Sequence, residues 1–413
     1  MLINFNKYLI VFLYSTFPLA LIAGNATANV NIILIDFIFI YECLRSKDFN
    51  FTKERIFLFL IFIWFFLVVN SIVNINKTDN AYQGLFRSLG FIRFIFFICA
   101  TKYFFEKYYL IKNKIFYFWT ITITFILIDI FFERIVGHNL IGIRSSSPER
   151  IASFFGEELI VGAFILGLGF TVSAHLLIKN EKSSFLNKIY SNLFLISIPF
   201  AIFISGERSN FIKSLIIFSF FLFFVEQKFL LVKKKTIFVI LLISIILSLL
   251  FSKFSLNRQV AIFNQLKPTN EVTIMEKIKT LAYAQHYMLA WNIFKENKLL
   301  GIGTKNFRYI CEDKRYPEEQ FTGCTTHPHQ IYFEILSEQG LFGFFIFLIF
   351  FINIFIKNCI IYKNNKNLYH LMSLMFFFSS LIPLLPSGSF FSSLNASIFW
   401  LNFSLMNYFS KKS

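Results

Sequence analysis

The 413 residues contain no P-loop, no His-Glu-x-x-His and no cysteine–histidine cluster at metal-binding spacing. That argues against a nucleotide-driven or zinc enzyme and leaves no cofactor to expect. Acid is scarce: 23 aspartates and glutamates face 40 lysines and arginines, a formal charge of +17. Such an excess can signal nucleic acid. Here the lysines collect in short loops between apolar stretches, so no nucleic-acid partner is expected. The first apolar run lacks a small-residue cleavage site and is followed by more runs, which argues against a cleaved leader. No internal repeat is visible, which weighs against a flippase or other transporter built from duplicated halves.

What is abundant is apolar sequence. The chain is 56% hydrophobic with 62 phenylalanines, and its mean hydropathy is +0.63. A soluble protein of this size is far less apolar. Runs of about 18 or more apolar residues recur from end to end, each long enough to cross a bilayer. The expected fold is an all-α polytopic membrane protein of about twelve transmembrane helices. Residues 1–251 hold helices 1 to 9, residues 252–340 form a large loop between helices 9 and 10, and residues 341–413 hold helices 10 to 12. The first of these runs is Tyr8–Ala23, the fourth Leu85–Phe105 and the tenth Leu341–Tyr362.

Charge sets the orientation. With the N-terminus inside, every inside loop is basic, for example Lys102, Lys107, Lys112 and Lys114 in one and Lys228, Lys233, Lys234 and Lys235 in another. The short outside loops carry little charge, and both termini are expected in the cytosol. Two outside segments are long, Glu133–Glu158 and Ser252–Gly340. In the second, Tyr283–Phe294 and Pro328–Gln339 read as helices. Cys311 and Cys324 share that loop and are expected to pair as a disulfide on an oxidising side of the membrane.

The second segment ends in Thr325-Thr326-His327-Pro328-His329-Gln330 and runs through Gly340 to Gly343. Pro328 suits a first helical turn, which places His329 in that turn, where N–H groups are unpaired and the local field is positive. Gly340 reads as a helix stop at the membrane edge. On a helix His327 and His329 fall about 200° apart and make a poor metal pair. Charges at the outer edge are the other candidates: Arg87, Arg150, Glu158, Arg208, His286 and Arg308. Several guanidiniums and histidines on one face suit a phosphate or pyrophosphate, which arginine binds through a planar fork of donors. The blander reading is snorkelling to lipid headgroups. Arg93, deeper in its span, is expected to pair with an acid such as Asp129.

His329-Gln330, nine residues and then Gly340-x-x-Gly343 resembles the signature of the O-antigen ligase and polymerase superfamily, His-[Asn/Ser/Gln]-x9-Gly-x-x-Gly. Asn297–Arg308, Arg150–Glu158 and Ser205-Gly206-Glu207-Arg208 resemble further segments of that family, spread along most of the chain. The resemblance implies a GT-C-like membrane glycosyltransferase that needs no metal and no nucleotide, working at the periplasmic face of the bacterial inner membrane. Its donor is a glycan on undecaprenyl diphosphate. Its acceptor is a lipid A–core sugar for a ligase, or another lipid-linked repeat for a polymerase. The family's essential histidine carries over to His329 and its outer-edge arginine to Arg208. Arg87, Arg150, Glu158, His286, Gln330 and Arg308 then become candidates for holding diphosphate or glycan, with Cys311, Cys324, Gly340 and Gly343 as structural positions. Many members have a second arginine shortly before the loop tryptophan. Here Gln285-His286-Tyr287-Met288-Leu289-Ala290 precede Trp291, so either His286 or another arginine fills that role.

Overall fold

The computed structural model describes residues 2–156, 158–268, 273–311, 325–391 and 393–411. They form eighteen α-helices, and no strand occurs among the described residues. In order these are α1 (Leu2–Ser15), α2 (Phe17–Ile22), α3 (Asn25–Ser46), α4 (Arg55–Val73), α5 (Ala81–Gly90), α6 (Ile92–Lys107), α7 (Ile111–Val136), α8 (Val161–Lys179), α9 (Phe185–Ile204), α10 (Arg208–Phe224), α11 (Lys234–Phe251), α12 (Lys253–Leu266), α13 (Ile274–Lys279), α14 (Ala282–Glu296), α15 (Phe307–Ile310), α16 (Ile331–Asn365), α17 (Leu368–Ser380) and α18 (Ser393–Phe409).

Among the described residues, seven helical stretches are long and apolar enough to cross a bilayer: α3, α4, α5–α6 taken together, α7, α8, α9 and α16. The remaining apolar runs are helical but shorter. The run Tyr8–Ala23 breaks at Thr16 into α1 and α2, with Pro18 in the first turn of α2, where its missing N–H leaves nothing unpaired. Large apolar side chains face outward all round the bundle, among them Phe62 and Phe65 on α4, Phe125 and Ile128 on α7 and Leu250 on α11. A water-soluble surface does not carry apolar area on that scale. The chain is a multi-pass membrane protein.

α8 is the axis of the bundle, with 89% of its apolar window buried. Its glycines make that possible. A Cβ on Gly167 would run into Ile398 of α18, and Asn402 of α18 donates to the Gly167 carbonyl at 2.8 Å. Close backbone approach at small residues is how helices associate where water supplies no driving force. Lysines expected on the cytosolic side meet acids from neighbouring elements at one end: Lys107 with Glu42, Lys102 with Glu54, and Lys411 with Glu106. Arg93 does not pair with Asp129. Its field is that of Asp36 and Arg87, and its guanidinium lies 4.3 Å from the Phe94 ring centre. Asp129 instead accepts from the Leu140 N–H and the Ser153 hydroxyl.

At the other end Gly340 breaks the helix as expected. Its φ +64°, ψ −165° is non-helical, so α16 is two helices that meet at a kink there. The kink frees backbone groups on both sides, and the segment before α15 takes them up. Ile302 and Gly303 donate to the Ser337 and Glu338 carbonyls, while Leu341 and Phe342 donate to Lys298 and Leu299. Local sequence signals a break but not the partner that turns it into a kink. Gly301 and Gly340 meet backbone to backbone there, so a Cβ on either would enter the other strand. Gly340→Ala and Gly301→Ala are each expected to lower the thermal unfolding temperature of the solubilised protein by several degrees, whereas Gly24→Ala, with open space at its Cβ, gives at most a strain-sized shift.

Candidate functional site

The two segments that carry the candidate residues are fixed by buried polar contacts. Residues 137–160 are tied down by Asn139 and Ser153: Asn139 Nδ2 donates to the Ser153 carbonyl, and the Ser153 N–H donates to Glu133. Ile151 N–H donates to Ser205 O at 3.1 Å, which joins this loop to the turn before α10. Gly206 adopts φ +80° in that turn, with Glu149 and Arg150 so close that a Cβ would touch them. Glu207 is buried. Its carboxylate accepts from the Gly162 N–H and from Asn210, closing the N-terminus of α8, where a negative charge is favoured. Arg208, the first residue of α10, is thereby left facing inward.

The histidine segment is not helical, contrary to expectation. α16 begins at Ile331, and Gln330 is its N-cap, the side-chain oxygen accepting from Tyr332 N at 2.7 Å and Phe333 N at 3.1 Å. His329 lies before the cap with φ +58°. Pro328 therefore disfavours helix at His327 instead of starting one. Without a helix the 200° argument fails, and the His327 and His329 rings come within 4.1 Å, centre to centre. His286 of α14 adds a third imidazole 5.3 Å from His329, and Tyr283 meets His329 edge-on at 5.5 Å.

Around the histidines a buried lattice joins three segments. Lys305 Nζ donates to Ser389 Oγ at 2.7 Å and lies 3.4 Å from Glu334, which also accepts from Ser389 and from the Phe390 N–H at 2.8 Å. Glu338 accepts from the Lys305 N–H at 2.7 Å. Glu334 and Glu338 are both fully buried. The loop between α17 and α18 closes the arrangement, Ser387 N–H donating to His329 O at 2.7 Å. His329, Lys305 and Leu384 all hold positive φ without being glycine, and such backbone persists where the surroundings over-determine it, often at functional sites.

These walls enclose a cavity of about 1300 Å³. Arg150, Glu158, Arg208 and His329 line it together. Lower down its wall turns apolar, with Leu166, Phe376, Ile398 and Phe399. Arg208 Nη1 is buried without a hydrogen-bond partner among the described residues, and so is Arg150 Nε, although Arg150 Nη2 reaches Leu159 O at 2.6 Å. The other candidates lie outside the wall. His286 and Gln330 back His329, Arg308 lies near His327, and Arg87 is exposed on α5. Gly343, one turn past the kink, has no room for a Cβ beside Gln339 and Phe66. Cys311 is disulfide-bonded; its expected partner Cys324 lies outside the described residues.

Three lining residues escape the sequence reading. Arg258 of α12 brings a third guanidinium, its Nε donating to Gly206 O at 3.2 Å; it lies 4.0 Å from Glu149 and in the field of Arg208 and Arg150. Lys213, five residues after Arg208, is buried with Nζ on Pro386 O at 2.9 Å. A lysine inside an apolar run is itself a signal, and it could have been read. Tyr283 and the loop at 381–391 carry no such mark.

Burial, reinforced by neighbouring cations and imidazoles, pushes both His327 and His329 down to about 3; burial lowers His286 as well. All three are neutral at pH 7. In the unfolded chain they take up protons below about 6.5, so from there down to about 3, the value for His327 and His329, the unfolded state binds more protons than the folded one. Their contribution to stability is complete above about 6.5 and lost as pH falls through that window. The unfolding temperature is expected to drop between pH 7 and pH 5, and His327→Asn to flatten that drop.

No curated protein matches the chain. A family model described as O-Antigen ligase matches residues 193–348, the stretch that carries Arg208, Arg258, His286 and His329.

Proposed function

We propose that the protein is an O-antigen ligase-type glycosyltransferase, moving a glycan from undecaprenyl diphosphate to a lipid A–core sugar at the periplasmic face of the inner membrane. The observation that carries the reading is the one cavity in which three guanidiniums and a pair of imidazoles stand above an apolar wall. That combination suits an amphiphile with an anionic headgroup: arginine forks for the diphosphate, Leu166, Phe376, Ile398 and Phe399 for the first prenyl units.

Arg208 and Arg258, with Arg150, hold the diphosphate. Its leaving-group charge grows in the transition state, where fixed donors act most strongly. Arg258 fills the place of the second arginine that the sequence before Trp291 lacks. The acceptor hydroxyl attacks the anomeric carbon from the side opposite the diphosphate, inverting it. The C–O bond to phosphate breaks with its electron pair going to the phosphate oxygen, and the hydroxyl proton passes to a ring nitrogen of His329. A neutral imidazole is the form that can accept it. The incoming diphosphate brings negative charge close by, which raises the imidazole's proton affinity at the moment it is needed. These steps use neither a metal nor a nucleotide.

In this reading residues 1–251 and 341–413 build the bundle and residues 252–340 cover its periplasmic end, with both termini in the cytosol. The basic loops support that orientation: their lysines sit at the end remote from the cavity. A polymerase, joining lipid-linked repeats, uses the same chemistry and is the second reading, favoured by the same family match. Glycan gels of a deletion strain separate the two. Loss of all lipid A-linked polymer indicates a ligase, and lipid A–core capped by a single repeat indicates a polymerase. Unchanged polymer on the deletion strain excludes both.

A further inference from the structure

One face of α14 is aromatic and partly open. Tyr283, Tyr287 and Trp291 recur every fourth residue and so form a single stripe, about 12 Å from first to last at 1.5 Å per residue. The opposite face, with Leu289, Ala290 and Ile293, is buried against Ile302, Phe307 and Ile310. The stripe is open at both ends, with Tyr283 46% and Trp291 45% exposed and Tyr287 between them half-buried. It is also rigid. Tyr287 lies flat on Phe333 with ring centres 5.0 Å apart, and Trp291 leans on Phe294 at 5.1 Å. It begins at the site, since Tyr283 and Tyr287 line the cavity and Tyr283 touches the His329 ring. It ends at Lys295 and Glu296, both exposed, so it leads from the imidazole toward water.

We propose that this stripe is a saccharide ledge that seats the acceptor glycan and delivers its terminal hydroxyl to His329. The C–H faces of pyranose rings lie well on flat aromatic rings. Tyrosine and tryptophan add a phenol or indole N–H that reaches the sugar hydroxyls, while losing little conformational freedom. The proposal rests on the glycosyl-transfer reading and adds the acceptor side to it.

The test uses the full-length protein in lipid nanodiscs, with two probes: core oligosaccharide released from the lipid A of the host, and the oligosaccharide of one O-antigen repeat. Tryptophan emission is titrated in the His329→Ala variant, so that binding is read without turnover. Of the four tryptophans Trp119 and Trp400 are fully buried, so the Trp291 contribution is isolated by subtracting the Trp291→Phe protein. One probe is expected to shift that emission saturably, and Tyr287→Ala to weaken the apparent affinity about tenfold, a change of about 1.4 kcal/mol. In transfer assays Trp291→Ala raises the acceptor KM by a similar factor and lowers kcat far less. A ledge that binds sugar while the wild type transfers nothing keeps this proposal and removes the transfer reading. No shift with either probe overturns it. So does strong quenching of Trp291 by brominated lipid chains with KM unmoved, which makes the stripe a membrane-interface belt.

Discussion

Arg208→Lys is expected to lower glycan transfer by a factor of about 10² to 10³, the loss typical of removing one donor aimed at developing charge, with the protein still inserted and folded. The charge survives the substitution, so the loss measures geometry. Arg208 heads α10, whose unpaired N–H groups already favour an anion. One of its nitrogens, Nη1, is buried and has no partner among the described residues. Arg150 and Arg258 stand beside it, and Glu149, 4.0 Å from Arg258, offsets only part of the repulsion among the three cations, so a further anion is favoured there. A lysine keeps one point charge there but cannot present the planar pair of donors that matches two phosphate oxygens. Arg208→Ala should fall further. Initial rates from reconstituted protein measure it, with membrane-fraction yield and unfolding temperature as controls. Arg208→Lys activity within about twofold of wild type would remove the diphosphate role.

His329→Asn should reduce kcat by about 10² to 10⁴, the range of general base catalysis. Asparagine is the informative choice because the backbone at His329 has φ +58°, which asparagine tolerates better than most residues. The substitution then leaves the Ser387 hydrogen bond to the His329 carbonyl and the Gln330 cap in place, and removes only the imidazole. Donor binding, which belongs to the arginines, is expected to persist. A variant that keeps wild-type kcat with an unchanged pH profile would show that the imidazole takes no part.

Much of this was legible from residue order, for identifiable reasons. Hydropathy finds membrane helices because a bilayer demands long apolar runs whatever their partners. Arg208 and His329 stood out because polar residues at an apolar edge need a purpose. The misses share one cause: each depended on a partner far away in sequence. Gly340 was legible as a break, but the Lys298–Gly303 segment that receives its freed hydrogen bonds cannot be seen locally. Nothing local says that Glu334 and Glu338 are buried, because Lys305, Ser389 and the backbone at Lys305 and Phe390 bury them. The relation of His327 to His329 was computed on a helix that starts two residues too late to include them. Arg258 carried no mark in the sequence, and only α12 sets it against Gly206.

The most direct measurement is transfer by the purified full-length protein in liposomes containing EDTA and no nucleotide, supplied with undecaprenyl-diphosphate-linked glycan and lipid A–core. Wild type is predicted to form the glycan–lipid A product, and His329→Asn and Arg208→Lys to form almost none while inserting normally. Product from both variants at the wild-type rate, or from wild type only after ATP is added, would contradict the account.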